Sequence, residues 1–517
     1  MMQIYKGDAM NISDFTIYDF ICRNAKTNKD RDCLVFNGKR IGFYEYKTKV
    51  DHLAAGFAAQ GLLRGDRVAV MAYNSADYMI LYGAAAKTGA IVLTVNWRLQ
   101  KDELEYILND CSPKFIFAGA SFQETTRSVL AKSDFSYKLF LIGEGDPCQG
   151  FMPLSTLYMK EGADAFFEVC ADDGYVIIHT AAVEGRPRGA LLSQSNLIHC
   201  NLLSILQYKL GKDDCCMGFL PLFHVAGLTQ ALSVMHAGGK NVITEKFLPE
   251  ETLELIKQEK GTLIFTFAPI LNTLLDTYET GDYDLSTLRN ASGMEGPQTI
   301  ERLRQCAPQC TFHVGFAQTE AMGVSRATYN EKPGSAGKPS ILARVKLFDD
   351  TDQEVPTGEP GEICVRSPTV FLGYWGLEND TADTFRNGWH HTGDIGKFDE
   401  EGYLWYVKRK AQKELIKPGG ENVYPAEVEA AILQHDAIME VCVIGVRDRK
   451  WGEAIKAICV LRSGQHLSEK TLIEFVGTKI ARYKKPQQVV FVDALPKNQA
   501  GGIDRDKVKQ AHGGLYL

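Results

Sequence analysis

Residues 67–71 read R-V-A-V-M, and residues 76–87 read A-D-Y-M-I-L-Y-G-A-A-A-K. The first is a short, mostly apolar run of strand length. The second is long enough for a helix and too apolar for a surface loop. The same alternation continues in both directions. Lys114–Ala118, Tyr175–His179, Asn241–Thr244, Leu263–Phe267 and Thr311–Gly315 are further strand-like runs, and Gln194–Gln207 is helix-like. Strands alternating with helices predict an α/β fold with largely parallel sheets and right-handed crossovers.

The texture changes after Gly334. Residues 341–375 carry Gly, Pro and alternating apolar positions, as in E-I-C-V-R at 362–366, and predict an antiparallel, barrel-like subdomain. A third pattern begins near residue 408. Glu427–Leu433 and Glu469–Thr478 read as helices, and Glu440–Val446, Ile455–Leu461 and Gln488–Val492 as strands. The basic run Lys408-Arg409-Lys410 reads as a flexible joint. The expected division is therefore 1–407, with two α/β subdomains and the antiparallel one, and 408–517, a small mobile α+β domain. A chain of 517 residues is long enough for several cores.

Composition excludes several classes. Hydrophobic residues are 45% and charged residues 23%, an ordinary globular balance. Lys plus Arg is 57 against 64 Asp plus Glu, a net charge of -7, which gives no reason to expect a nucleic-acid partner. The 13 cysteines show no C-x-x-C pair, and they read as reduced, mostly buried thiols. Met1 to Phe20 lacks a basic region followed by a long apolar run, so no signal peptide is expected. The apolar stretch Met79–Thr94 is broken by Lys87, Gly83 and Gly89, so no transmembrane segment is expected. The expectation is a soluble, cytoplasmic protein.

Four segments carry chemistry. Thr180–Gly189, T-A-A-V-E-G-R-P-R-G, sits between a strand and the helix beginning near Gln194. Gly185 and Gly189 permit close backbone approach, and Arg186 and Arg188 add charge suited to phosphate, although an ordinary connection has the same look. Gly315–Glu320, G-F-A-Q-T-E, places a ring, a hydroxyl and a carboxylate at a strand's carboxyl end. That set can serve base, phosphate and Mg²⁺, or simply be a buried Phe and an exposed Glu. Gly388–Asp394, G-W-H-H-T-G-D, offers Asp394 in a glycine-flanked turn for ribose hydroxyls. His390 and His391 point to opposite faces without matching partners, which argues against a metal there. Lys413–Glu429, K-E-L-I-K-P-G-G-E-N-V-Y-P-A-E-V-E, is a tight loop leading into an amphipathic helix.

The order and spacing of these segments resemble the adenylate-forming superfamily, and within it the acyl-CoA synthetases. Supporting pieces are Lys87-Thr88-Gly89-Ala90 with Asn96 and Arg98, P-L-F-H-V-A-G at 221–227, and G-S-A-G-K-P at 334–339. G-E-P-G-E-I-C-V-R at 358–366, G-Y-W at 373–375 and R-Y-K-K-P at 482–486 complete the series. The resemblance implies two half-reactions. A carboxylate attacks the α-phosphate of ATP to give an acyl-adenylate and pyrophosphate. A small domain then rotates, and the thiol of coenzyme A displaces AMP. Position by position it implies that Thr180–Gly189 binds phosphate, Phe316 stacks on adenine, Thr319 contacts phosphate and Glu320 holds Mg²⁺. Asp394 and Arg409 would bind ribose, with Lys408 as the hinge. His224 would gate the acyl pocket, its plain alternative being a packed core histidine. Gly419 and Gly420 would line the pantetheine tunnel. Gly315, Ala317 and Ser292–Pro297, with Gly293 and Glu295, would wall the nucleotide and acyl site. The acid itself is not legible; His224, Val225 and Ala226 suggest an apolar cavity for a fatty, aromatic or alicyclic acid. A homodimer is the base-rate expectation.

The chain departs from the family pattern in places. The usual phosphate loop is T-S-G-T-T-G-x-P-K-G; here Ala181, Ala182, Val183 and Glu184 stand inside it and Arg188 replaces Lys. Phe316 stands where Tyr is common, and Ala317 where Gly is. The family's G-K-I near the C-terminus is G-G-I here, so Gly502 stands where a lysine bridges the substrate carboxylate and the α-phosphate. Losing that cation implies an impaired adenylation step, whether the glycine is natural or engineered. An adenylate-binding pseudoenzyme, or a module loading a carrier protein, stays open at this point.

Overall fold

The helix beginning at residue 76 shows how the large body is assembled. In the computed structural model, which describes residues 14–180, 187–410, 415–448, 451–497 and 502–513, it spans Ala76–Thr88. The Ser75 side chain caps it by accepting from the Tyr78 N–H at 3.1 Å, and Gly89 ends it in the left-handed region at φ 70°. Every residue from Tyr78 to Thr88 is buried. A helix without a polar face must be covered all round. One core cluster joins it to Val68 and Val176 of one sheet and to Leu34 and Ile243 of another. Full burial of each large apolar side chain there stabilises by about 1.5–3 kcal/mol. Lys87 is buried at the helix end and pairs with Asp51 at 2.8 Å, so its charge is matched.

Two sheets flank this helix. The first has eight strands, with Arg67–Met71, Ile91–Thr94, Phe115–Ala118, Lys138–Leu141 and Gly174–Thr180 running parallel through its centre. The second has nine, with Cys215–Gly218, Lys240–Ile243, Leu263–Phe267, Asn290–Met294 and Thr311–Phe316 parallel at its heart. These are the two α/β subdomains the alternation predicts. The Gly- and Pro-rich stretch forms a five-stranded antiparallel sheet from Arg344–Phe348, Gly361–Arg366, Phe385–Arg386, Trp389–Phe398 and Leu404–Arg409. Farther along, Ile438–Asp448, Gly452–Leu461 and Gln488–Phe491 form a three-stranded sheet with their own apolar core and the helices Pro425–Ile432 and Glu469–Lys479. No helix among the described residues is long and apolar enough to cross a membrane. All 13 cysteines are free thiols and most are buried.

Three local expectations change. The segment from Thr180 is not a strand–helix connection. Gly174–Thr180 pairs antiparallel with Arg188–Ser193, His179 opposite Gly189 and Thr180 opposite Arg188, and a second strand therefore stands between this segment and the helix at Gln194. Asp394 does not sit in a turn. It lies within the ten-residue strand Trp389–Phe398, because the backbone of His390–Gly396 finds ladder partners in Gly361–Val365. Lys408 and Arg409 are not a loose joint either: Ile395 pairs with Lys408 and Asp394 with Arg409. L-W-Y-V at 404–407 is good strand sequence, and the ladder carries the two cations with it.

Candidate active site

Strand Thr311–Phe316 delivers the aromatic wall. Gly315 is required there, since a Cβ would lie 2.3 Å from the Ser325 carbonyl oxygen. Phe316 is buried, and its N–H donates to Ser325 Oγ at 3.2 Å. The chain then turns through Ala317, Gln318 and Thr319 to Glu320. Glu320 Oε1 accepts from Thr180 Oγ1 at 3.0 Å and from the Tyr374 hydroxyl at 3.1 Å. The Arg188 guanidinium lies 4.1 Å from the Tyr374 ring centroid and pairs with Asp380 at 3.0 Å. Burial, then the Glu320 charge, push the Tyr374 phenol up, so it stays a donor. Thr180, Arg188, Thr319 and Glu320 thus share one oxygen-rich corner. Gly189 is the first strand residue beyond it, its carbonyl accepting from the Trp375 N–H at 2.7 Å. Gly185 and Arg186 lie outside the described residues.

Asp394 is buried and crowded by donors. Arg409 pairs with it at 2.9 Å, Tyr406 donates at 3.4 Å, and Gln318 Nε2 donates to its other oxygen. Burial lowers the Arg409 pKa, but Asp394, Tyr424, Tyr406 and Glu320 together outweigh it and hold it above the ordinary value. A carboxylate backed by a fixed cation is a suitable acceptor for vicinal hydroxyls. Its neighbour His391 does have partners, contrary to the sequence reading. It contacts Glu362 at 3.0 Å and Cys364 at 3.3 Å. Lys410 takes the same Glu362 carboxylate at 3.1 Å, and Arg386 lies 2.9 Å from His391 Nδ1. Burial raises the Glu362 pKa, yet bonds from His391 and Lys410 win and hold it near about 2. Lys410 and Arg386 bring the positive charge that balances this buried carboxylate.

The opposite wall comes from strand Asn290–Met294. Gly293 has φ 143°, and a Cβ there would lie 1.7 Å from the Thr266 carbonyl oxygen, so no other residue fits. Glu295 follows. Burial pushes its carboxyl up to about 7, and Oε1 has no hydrogen-bond partner among the described residues. Its stabilising share is complete below the ordinary value of 4.5 and is lost as pH rises through about 7. Glu295→Gln is therefore expected to flatten the decline in melting temperature between about pH 5 and about pH 8. Thermal denaturation of both proteins across that range checks this; parallel curves would count against it.

His224 caps the helix Val225–Ala237, its Nδ1 accepting from the Ala226 N–H at 3.2 Å. Burial lowers its pKa, so the ring is neutral and its proton is placed on Nε2. It borders a cavity of about 220 Å³ that adjoins a larger one of about 700 Å³, the two sharing a wall of Gly293, Gly315, Phe316, Thr319 and Asn422. The larger cavity also holds Asp394, Glu295 and Arg409.

The segment after residue 415 completes this enclosure. Lys417, Asn422, Tyr424, Arg447, Trp451 and Glu453 line the large cavity. Gly419, at φ 60° in the short turn Pro418–Gly420, donates its N–H to the Trp451 carbonyl at 2.9 Å; its Cβ position is 3.5 Å from Ala268 O of the large body. Burial, with Arg409 nearby, lowers the Lys417 pKa. Lys484 is buried between Glu103 at 2.6 Å and Glu427 at 2.8 Å, and Arg98 pairs with Glu421. Gly502 is exposed and lines none of these cavities. Sequence reasoning did not assign roles to Tyr374, Gln318, Tyr406, Lys417, Trp451 or Glu453. Tyr374 and Lys417 stood inside quoted motifs; Trp451 carried no local signal.

A family model described as AMP-binding enzyme matches residues 21–375, and one described as AMP-binding enzyme C-terminal domain matches residues 427–501. The chain belongs to the AMP-binding enzyme family. This AMP-binding enzyme is 32% identical over 501 residues to an indoleacetate–CoA ligase of Aromatoleum aromaticum, covering 95% of this chain and 97% of that protein. It is 31% identical over 498 residues to a feruloyl-CoA synthase of an Amycolatopsis species, covering 95% and 98%. A solved structure of a double mutant of o-succinylbenzoate CoA synthetase from Bacillus subtilis, bound with its product analogue, superposes with a TM-score of 0.83 at 26% identity, over 98% of this chain and 100% of that one. The same synthetase in complex with its acyl-adenylate intermediate superposes with a TM-score of 0.68 over the same shares. The acyl-CoA synthetase class expected from the motif series, using ATP and coenzyme A, is the class of this AMP-binding enzyme.

Proposed function

We propose that the protein is an AMP-forming ligase that joins a compact carboxylic acid to coenzyme A, and that the arrangement described is the one competent for thiol transfer. The observation that carries this is the cavity of about 700 Å³ closed by Phe316, Glu320 and Asp394 on one side and by Lys417, Trp451 and Glu453 on the other. In this reading Phe316 stacks on adenine, Asp394 and Arg409 hold the ribose, and Thr180, Arg188 and Thr319 meet the phosphates. The better superposition on the product-analogue complex supports the thiol-transfer assignment. Gly419 and Trp451 then border the path of the pantetheine arm, and His224 stands between that path and the acyl cavity.

A hard-oxygen corner of one carboxylate and hydroxyls suits Mg²⁺, which takes few protein ligands and keeps phosphate oxygens. Glu320 would hold it, and when bound it would neutralise phosphate charge during adenylation. Glu320 itself is positioned by Thr180 and Tyr374. The residues position the reactants and exclude water, which is most of what in-line phosphoryl transfer requires. Residues 1–407 and 408–517 are proposed as the two bodies, with the turn near Lys408. Gly502 in place of lysine impairs the first half-reaction in this scheme and leaves the second intact.

The aryl acids in the names of the two ligases above, and the small acyl cavity, favour an aromatic or alicyclic acid over a long chain. Incubating the protein with ATP, coenzyme A and a panel of acids is expected to release AMP and acyl-CoA in equal amounts. Chemically prepared acyl-adenylates with coenzyme A should give the thioester faster still. No thioester from either route would overturn the reading in favour of a binding protein; transfer only to a carrier-protein thiol would favour a carrier-loading module.

A further inference from the structure

The acyl cavity is mostly apolar, as Val225 and Ala226 suggest, but polar side chains also line it. Away from His224 it is lined by Ser204, Gln207, Thr229, Gln230, Ser233 and Arg326. Arg326 stands on the strand Ser325–Thr328, opposite Gly315. Gly323, at φ 58°, makes room for it: a Cβ there would lie 2.8 Å from the guanidinium Nη2. Arg326 donates to Gln207 Oε1 at 2.6 Å and lies 3.5 Å from Ser204 Oγ, with the Tyr208 ring centroid 5.8 Å away. No carboxylate pairs with it among the described residues, unlike Arg188 with Asp380 or Arg289 with Asp214. A guanidinium has five N–H donors, and these neighbours engage only part of them.

A second polar side chain, the Gln230 amide, lines the same cavity. Gln230 is 5% exposed, and its Nε2 has no hydrogen-bond partner among the described residues. A guanidinium that lines this cavity and has no carboxylate partner can receive an anionic group of a bound molecule. The cavity, about 220 Å³, is below the roughly 300–1,000 Å³ of typical ligand pockets, so that group belongs to a short molecule.

We propose that the acid taken by this enzyme carries a second carboxylate at the end remote from the reacting one, received by Arg326 with the Gln230 amide beside it. This rests on the ligase reading above and narrows its substrate class. Arg326 is thereby a specificity-determining residue. It takes no part in bond making at the reacting carboxyl.

The test uses the full-length protein and matched aryl acids: a parent arylacetate, its hydroxyl-substituted form, and its distally carboxylated form. Each is supplied free with ATP and coenzyme A, and also as the prepared acyl-adenylate with coenzyme A, with acyl-CoA as the readout. The distal carboxylate is expected to raise kcat/KM by about 10⁴–10⁵-fold over the parent, as for sites built around a polar partner. Arg326→Met should collapse that ratio toward unity mainly through KM, and Arg326→Lys should keep part of it. Equal use of parent and dicarboxylate, or of hydroxyl and carboxylate forms, would overturn the proposal. So would a preference that survives in Arg326→Met. If that variant does not fold, the wild-type ratio alone decides. Thioester formed from the parent acids without a dicarboxylate preference sinks this proposal and spares the ligase reading; no thioester from any adenylate sinks the ligase reading itself.

Discussion

Gly502→Lys is expected to raise pyrophosphate release from ATP and acid by about 10²–10³-fold, the usual worth of one preorganised donor at a developing charge. Two nearby lysines, which could substitute in part, are held in exposed ion pairs in this arrangement. Lys497 pairs with Glu440 at 2.5 Å, and Lys507 with Asp504 at 3.1 Å. Position 502 is exposed and lies off the cavities, so a lysine there would act only after the small body has turned. Thioester formation from a prepared acyl-adenylate should therefore be unchanged. Measuring both half-reactions separately in the variant checks this. An unchanged pyrophosphate rate would show that the missing ammonium is not what limits adenylation.

The mirror-image result is expected at Lys484. It is 3% exposed and lies between Glu103 of the large body and Glu427 of the small one. Removing one member of such a buried group costs about 3–5 kcal/mol, because the remaining charges lose their partner. Lys484→Met should therefore lower thioester formation from prepared acyl-adenylate by about 10²–10³-fold while sparing pyrophosphate release. Glu103→Gln separates the interface from the fold of the small body, since Lys484 then keeps Glu427. Its loss should be smaller, roughly tenfold, and confined to the same half-reaction. Equal damage to both half-reactions would assign Lys484 to folding instead of closure.

These contrasts also show what local sequence could carry. The strand–helix alternation around Arg67–Met71 and Ala76–Thr88 is a short-range pattern, and it marked both α/β layers. Phe316, Thr319 and Glu320 lie in one short motif at a strand end and Asp394 in the middle of another strand, and the structure brings all four to one cavity. The strand Arg188–Ser193 was not legible, because R-G-A-L-L-S has no strand signature stronger than its apolar centre. The Tyr374–Glu320 bond joins residues 54 apart, and Lys484–Glu103 joins residues 381 apart. Such pairs depend on how sheets and bodies are stacked, which no window of sequence contains. Arg326 escaped notice for the same reason: only the helix carrying Ser204 and Gln207, laid across its strand, marks it as a pocket residue.

The ladder that holds Lys408 opposite Ile395 bears on how the two bodies would exchange places. A pivot seated in a flexible tether would sweep through a continuum of angles. One seated on the last rungs of a sheet acts as a detent, because each angle either keeps those rungs or gives them up together. Single-molecule fluorescence between dyes on the two bodies should then dwell at discrete levels with abrupt jumps, and loosening the rungs should blur the levels before it slows the jumps.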